Sequence, residues 1–173
     1  MLDVKKLNDR EREEILLKVE QTAAEDERAI TGCARAVLHA LTEHLGMGNE
    51  EVIKAAAPLA GGGARSGHLC GALTGGIMAM GLAYAPSILR GASEVPGYVK
   101  AMELAGVLCD RFKSEFGALN CREIQHLMWG RSWNLREPSE REEFLRPEFH
   151  DRCGDVAGKA ARLAAEIILE NAE

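Results

Sequence analysis

Five cysteines are the residues of this sequence best suited to chemistry. They lie far apart along the chain, at Cys33, Cys70, Cys109, Cys121 and Cys153. No two of them form a CxxC motif. The sequence therefore contains no thioredoxin-type dithiol, zinc-ribbon or haem-attachment motif. Any shared cysteine site must therefore be assembled by the fold.

Four of these cysteines, Cys33, Cys70, Cys121 and Cys153, are predicted at or within one turn of a helix N-terminus. Unpaired backbone N–H groups and the positive end of the helix dipole favour the thiolate there, which is the form that binds metals and attacks disulfides. Cys109 is predicted in the middle of a helix, where a cysteine usually packs as a small apolar residue. The four form the candidate site, although each of them taken alone also fits a packing role.

The stretch GGGARSGHLCGALTGG, residues 61–76, surrounds Cys70 with seven glycines. Its three consecutive glycines and Gly67 predict a loop with positive φ angles, whose successive N–H groups could point at an anion such as sulfide or thiolate. Gly71 and Gly75 lie one turn apart on the helix that follows, so they open one face to another backbone or to an inorganic group. A phosphate-binding loop is disfavoured because the Lys-Ser/Thr ending is missing.

Hydrophobic periodicity and capping residues predict an all-α chain. We expect a single-domain bundle of about five to seven helices with a short Gly-rich central helix, and the scarcity of aromatic residues, 5% of the chain, agrees with this. The predicted helices are a charged helix or arm near 9–26, one capped by Thr31 and ended by Gly46, one from Asn49 to Pro58, the central helix 69–83, one over 98–116, one starting at Cys121, and one from Asp151 or Cys153 to Asn171.

The segments between these helices, 85–97 and 130–147, are predicted as a loop and a polar connection. At the level of domains, residues 1–29 form an N-terminal helical arm and residues 30–173 form a four-cysteine redox or metal domain.

Charge and hydropathy exclude several classes of function. The net charge of −6 and the sequence pI near 5.5 leave no broad basic surface for nucleic acid. The charged N-terminal sequence lacks a secretory signal, which predicts a cytoplasmic protein in which structural disulfides are rare. The uncharged stretch 69–89 is broken by Gly76, Gly81 and Pro86, which argues against membrane insertion. No hydrolase motif is present.

Four sequence contexts together resemble a known family. They are Cys33 in GCARAVLHAL, Cys70 in CGALTG after a glycine-rich loop, Cys121 in FGALNCREI, and Cys153 near the C-terminus. In this order they are similar to the C_GCAxxG_C_C family of redox-active proteins, over about residues 30–160. The resemblance implies a helical domain in which these four thiols are redox-active or bind a metal, and Cys109 has no place in it.

Three classes of function remain open. In the first, Cys33, Cys70, Cys121 and Cys153 hold a metal site for electron transfer or sensing, foremost a [2Fe–2S] cluster with zinc as the alternative occupant. Gly67, Gly71 and Gly75 are its candidate cofactor-binding glycines. In the second, Cys70 attacks a disulfide and another of the four resolves it, with Cys70 and Cys121 as the candidate catalytic residues. The third is a non-catalytic helical interaction domain.

Three other residues lie close to the candidate thiols in the sequence. His68 and His150 precede Cys70 and Cys153 closely and could replace a thiol ligand or act as a base, but we expect solvated loop histidines. Arg65 could lower the pKa of Cys70, although a surface arginine is the commoner case. The expected partners are a redox protein of unknown identity and, in a homodimer, a second copy of this chain.

Overall fold

The computed structural model describes residues 7–87 and 95–172, and within them the protein is an all-α bundle without a β-strand. Eight α-helices follow one another in the described chain: α1 (Asp9–Ile30), α2 (Cys33–Leu45), α3 (Glu50–Ala55), α4 (Gly71–Tyr84), α5 (Pro96–Phe116), α6 (Cys121–Trp129), α7 (Pro138–Phe144) and α8 (Pro147–Glu170). The prediction of an all-α single-domain bundle is confirmed. The eighth helix is α7, which lies in the segment predicted as a connection.

One main hydrophobic core lies between five of the helices. Its fully buried side chains include one from each of α1, α2, α4, α5 and α8, namely Val19, Leu38, Leu73, Leu108 and Ile167. Helix α4 contacts α2, α5 and α8, so the predicted Gly-rich helix is central in the bundle. Because small residues replace bulky ones along α4, its neighbours can approach its backbone closely.

Helix α1 begins with a capping box, in which the side chains of Asn8 and Glu11 each accept a hydrogen bond from the other's backbone N–H. Helix α1 then packs along α8, and this is the most extensive helix–helix contact in the described chain. The approach is close because a Cβ at Gly158 would lie 2.7 Å from the carbonyl oxygen of Glu20. From residue 9 onward, the predicted N-terminal arm is therefore packed against the same core as the rest of the described chain.

Two predicted helix starts are wrong. Thr31 does not cap α2, because it is the left-handed C-cap residue of α1 with φ 52°, and Gly32 is the N-cap of α2. Helix α8 begins at Pro147, a residue whose fixed φ and missing N–H suit the first helical position. Cys153 therefore lies in the second turn of α8 and not at its N-terminus.

The segment 130–147 is also not a polar connection. Its apolar side chains form a second, smaller core. Two of them, Trp133 and Phe144, are only 3% and 5% exposed. The rings of Trp133 and Phe149 lie 4.9 Å apart, and those of Trp129 and Trp133 are 5.6 Å apart. These residues belong to α6, α7, α8 and the loop after α6, so only tertiary packing reveals their burial.

The predicted loop 85–97 falls partly outside the described residues, at 88–94. Among the helices that the structure does describe, none combines the length and the apolar character that crossing a membrane requires.

Candidate cysteine site

Four cysteines line one cavity of about 80 Å³, here called the cysteine cavity. Cys33 is the first residue of α2, Cys70 is the N-cap of α4, Cys121 is the first residue of α6, and Cys153 belongs to α8. Cys109 on α5 packs against the main core instead. All five thiols are free. The fold therefore brings together the four cysteines that the sequence singled out and leaves the fifth apart.

Two backbone hydrogen bonds hold the starts of α4 and α6 side by side. The N–H of Cys70 donates to the carbonyl of Leu119 at 2.9 Å, and the N–H of Cys121 donates to the carbonyl of His68 at 2.7 Å. These bonds join the chain before α4 to the start of α6, so they fix the separation of the backbones that carry Cys70 and Cys121.

Glycines on α4 bring the thiol of Cys33 to the same place. A Cβ at Gly71 would collide with Cys33 Sγ, and a Cβ at Gly75 would lie 2.7 Å from the carbonyl oxygen of Ala34. Of the two roles expected for these glycines, the close approach of another backbone is the one observed. The cavity lining includes a different glycine, Gly61, and none of the predicted cofactor-binding glycines Gly67, Gly71 and Gly75.

The glycine-rich loop has the positive φ angles that the sequence predicts, at residues 61–63 and at Gly67. The N–H groups of residues 63–67, however, donate to the backbone carbonyls of residues 58–63. The prediction that successive N–H groups of this loop point at an anion is therefore wrong for these residues, because the tight loop satisfies them internally.

Burial raises the pKa of all four thiols, whereas the sequence predicted thiolates. The pKa of Cys70 and of Cys121 rises from 9.0 to about 12, and the pKa values of Cys33 and Cys153 also rise well above the ordinary range. Desolvation is the largest cause, and repulsion by Glu27 and by the neighbouring thiols adds to it. The N–H groups in the first turn of α4 oppose the rise at Cys70, but lost hydration outweighs them.

A buried polar pair also lines the cavity. His150 Nε2 lies 3.2 Å from Glu27 Oε1, and the two residues are 5% and 4% exposed. Glu27 Oε2 has no hydrogen-bond partner among the described residues. The prediction of a solvated loop histidine is wrong for His150, because α8 begins early enough to include it; His68 is exposed, as expected.

Glu27 was missed in the sequence, although one signal was available. It continues the buried stripe of α1 that contains Leu16, Val19 and Ala23. Carboxylates are rarely buried without a partner, so an acidic residue on the buried face of a helix indicates that a partner lies nearby.

Gln125, on α6, was also missed. It is 2% exposed, its Nε2 donates to Cys121 Sγ at 3.7 Å, and its Oε1 accepts from the backbone N–H of Trp133 at 3.0 Å. The small aromatic core packs against both Cys121 and Cys153. Beside the Gln125 amide, this side of the cysteine site is therefore formed by buried aromatic rings.

Four soft sulfur donors around one cavity can either bind a soft metal centre or pair as disulfides. Within residues 7–87 and 95–172, no three His, Cys, Asp or Glu side chains are grouped so that they could hold a metal ion as they stand. The thiols are thus neighbours across a cavity and are not arranged as the ligands of one ion.

One comparison with known proteins gives a match. A family model described as "Putative redox-active protein (C_GCAxxG_C_C)" matches residues 31–167, a range that contains all four cavity cysteines. Comparisons with curated proteins and with solved structures give no match. Since the matched residues make up most of the chain, the protein belongs to the C_GCAxxG_C_C family of redox-active proteins.

Proposed function

We propose that this chain is an electron-transfer protein in which Cys33, Cys70, Cys121 and Cys153 hold a [2Fe–2S] cluster in the cysteine cavity. One observation carries the proposal: four cysteines on four different helices line one cavity, while Cys109 lies outside it. A packing role would not require all four to meet. When bound, such a cluster supplies a one-electron couple.

The electrostatics of the cavity favour a cationic occupant. Besides desolvation, negative charge on Glu27 and on the neighbouring thiols raises the pKa of each of the four cysteines. A coordinated cation reverses this situation, because a coordinating thiol is deprotonated outright. Glu27 Oε2, which has no partner in the described chain, would add to the negative potential there.

The surroundings of the sulfurs also suit a cluster. Backbone N–H groups of Gly61 and Ala34 lie near Cys33, and those of Ala72 and Leu73 lie near Cys70. Such N–H groups stabilise the negative charge on ligating sulfur and tune the reduction potential. A single zinc ion needs ligands at about 2.0–2.3 Å in a tetrahedron, and within the described residues the four sulfurs are not grouped in that way as they stand.

A second candidate function is thiol–disulfide exchange, favoured by the contact between Cys33 and the start of α4. Cys33 Sγ lies against Gly71, the residue after Cys70, and both thiols are free. In this reaction the two thiols would form one S–S bond while two protons and two electrons pass to the disulfide of a partner protein. The raised pKa of Cys70 argues against it, because little of the attacking thiolate exists at neutral pH.

Anaerobic purification followed by iron, sulfide and zinc analysis distinguishes the two functions. We expect about two irons and two sulfides per chain and visible absorption, as a [2Fe–2S] cluster requires. Substituting any of Cys33, Cys70, Cys121 or Cys153 by Ser should lower the iron content. Cys109→Ser is the matched control and should leave it unchanged.

Protein without iron, sulfide or visible absorption contradicts the cluster. If differential alkylation then detects a reversible disulfide that Cys70→Ser abolishes, the second function is correct. Four unreactive, metal-free thiols would contradict both functions and leave a helical interaction domain.

A further inference from the structure

A polar groove of about 490 Å³ lies next to the cysteine cavity. Three arginines line it, Arg65, Arg122 and Arg136, together with a single acidic side chain, Glu140. We call it the arginine groove. Its size is within the range of small-ligand pockets, about 300–1,000 Å³. Arg65 lines both the groove and the cysteine cavity, so the two sites adjoin.

The charges of these three arginines are not neutralised by the described part of the protein. None of the three forms an ion pair with a described carboxylate, whereas Arg111 and Arg162 are each held by glutamates at 2.8–2.9 Å. The whole chain has a net charge of −6, so acidic side chains are in excess. Three unpaired guanidinium groups that face one groove leave a local positive potential despite this excess.

Backbone contacts fix these side chains on the glycine-rich loop. Arg136 Nε donates to the carbonyl of Ala64 at 3.1 Å. Arg122 packs over Gly67, where an added Cβ would lie 3.1 Å from its Nε. Arg65 itself has φ 60°, a left-handed conformation that costs energy for a residue other than glycine and that concentrates at functional sites.

The donor chemistry specifies the ligand. A guanidinium presents a planar fork of N–H donors that matches the oxygens of phosphate or carboxylate, and it remains charged at every physiological pH. Ser66 and Ser132 add hydroxyl groups to the lining. Trp133 also lines the groove but is nearly fully buried, which leaves no ring face for stacking a base. These donors therefore suit a compact oxyanion better than an aromatic ligand.

We propose that the arginine groove binds a small phosphate-bearing molecule, whose phosphate lies between Arg122 and Arg136 beside the cysteine cavity. This site is separate from the four thiols and does not depend on what the cysteine cavity holds. An anionic small molecule bound in the arginine groove would lie next to the cysteine cavity.

Isothermal titration calorimetry of the full chain with pyrophosphate, in low-salt buffer without phosphate, tests the proposal. We expect saturable binding of one pyrophosphate per chain that weakens as salt screens the charges. Arg122→Gln and Arg136→Gln should each weaken binding about tenfold, the effect of losing a charge-assisted hydrogen bond. Glu140→Gln should tighten it, because it removes the opposing charge and keeps an acceptor for the backbone N–H of Asn134.

The matched control is Arg10→Gln, which removes the same charge at a site on α1 where the side chain is 88% exposed. It should leave the dissociation constant unchanged. Absence of saturable binding overturns the proposal, as does equal weakening by Arg10→Gln. Binding of citrate without binding of pyrophosphate overturns the assignment to phosphate. Arg122 and Arg136 are exposed and Glu140 is half-buried. The groove variants should therefore retain the melting temperature and iron content of the wild type, so these outcomes are independent of the cluster test.

Discussion

The contact between α2 and α4 at Gly75 allows a direct test of how the cysteine cavity is assembled. The substitution is Gly75→Ala, and its matched control in the same helix is Gly81→Ala. A Cβ at Gly75 would lie 2.7 Å from the carbonyl oxygen and 3.1 Å from the Cα of Ala34, whereas a Cβ at Gly81 would meet nothing within 4 Å. Both substitutions replace a helical glycine by the best helix former.

The expected difference follows from two opposing contributions. Each substitution gains about 1 kcal/mol of helix propensity. Only Gly75→Ala adds overpacking, which costs about 1–3 kcal/mol, since the atoms it meets are backbone and cannot rotate away. The propensity gain cancels between the variants, so Gly75→Ala should be less stable than Gly81→Ala by about 1–3 kcal/mol. At roughly 2–4 °C per kcal/mol for a chain of this size, the melting temperatures should differ by several degrees.

Urea and thermal denaturation of the metal-free variants measure this difference. Equal stability of Gly75→Ala and Gly81→Ala would refute the reasoning, because it would mean that α2 does not approach α4 as closely as observed. Displacement of α2 also moves Cys33, which precedes Ala34, away from the other thiols. If the proposed cluster is present, Gly75→Ala should therefore retain less iron than Gly81→Ala.

Three further predictions concern buried groups around the cavity. The pKa of Cys70 rises from 9.0 to about 12 on folding, so its contribution to stability is complete below pH 9 and is lost as the pH rises towards 12. The free energy of unfolding of the metal-free protein should fall over this range, more steeply than in Cys70→Ala, and a pH-independent difference between the two would contradict the cause given. His150→Ala leaves the Glu27 carboxylate buried without a hydrogen bond, so the free energy of unfolding measured in urea should fall by about 1–3 kcal/mol. Stability equal to that of the wild type would show that the His150–Glu27 contact does not stabilise the fold. Gln125→Leu removes the acceptor for the buried N–H of Trp133 and should cost a similar ~1–3 kcal/mol, with an altered tryptophan fluorescence; an unchanged spectrum and midpoint would contradict the observed bond.

Several features of this protein could be predicted from the sequence. The ends of α2 and α5 at Gly46 and Gly117, and the Asn49 cap of α3, follow from local backbone chemistry that neighbouring residues carry. The aromatic residues of 129–149 and the early start of α8 were missed. The burial of these aromatic residues depends on packing between α6, α7, α8 and the loop after α6, which no short window contains. The early start of α8 has a local signal in Pro147, which suits the first helical position.

The sequence by itself determined the helical class, the central Gly-rich helix and the identity of the four cysteines, because hydrophobic period, caps and motif order are properties of neighbouring residues. Tertiary structure alone decided that these thiols meet at one cavity, that Glu27 and His150 join them, and that unpaired arginines adjoin it. It also decided the direction of the thiol pKa values. A helix terminus stabilises a thiolate locally, but desolvation depends on everything packed around the sulfur, and here the larger effect arises from the fold.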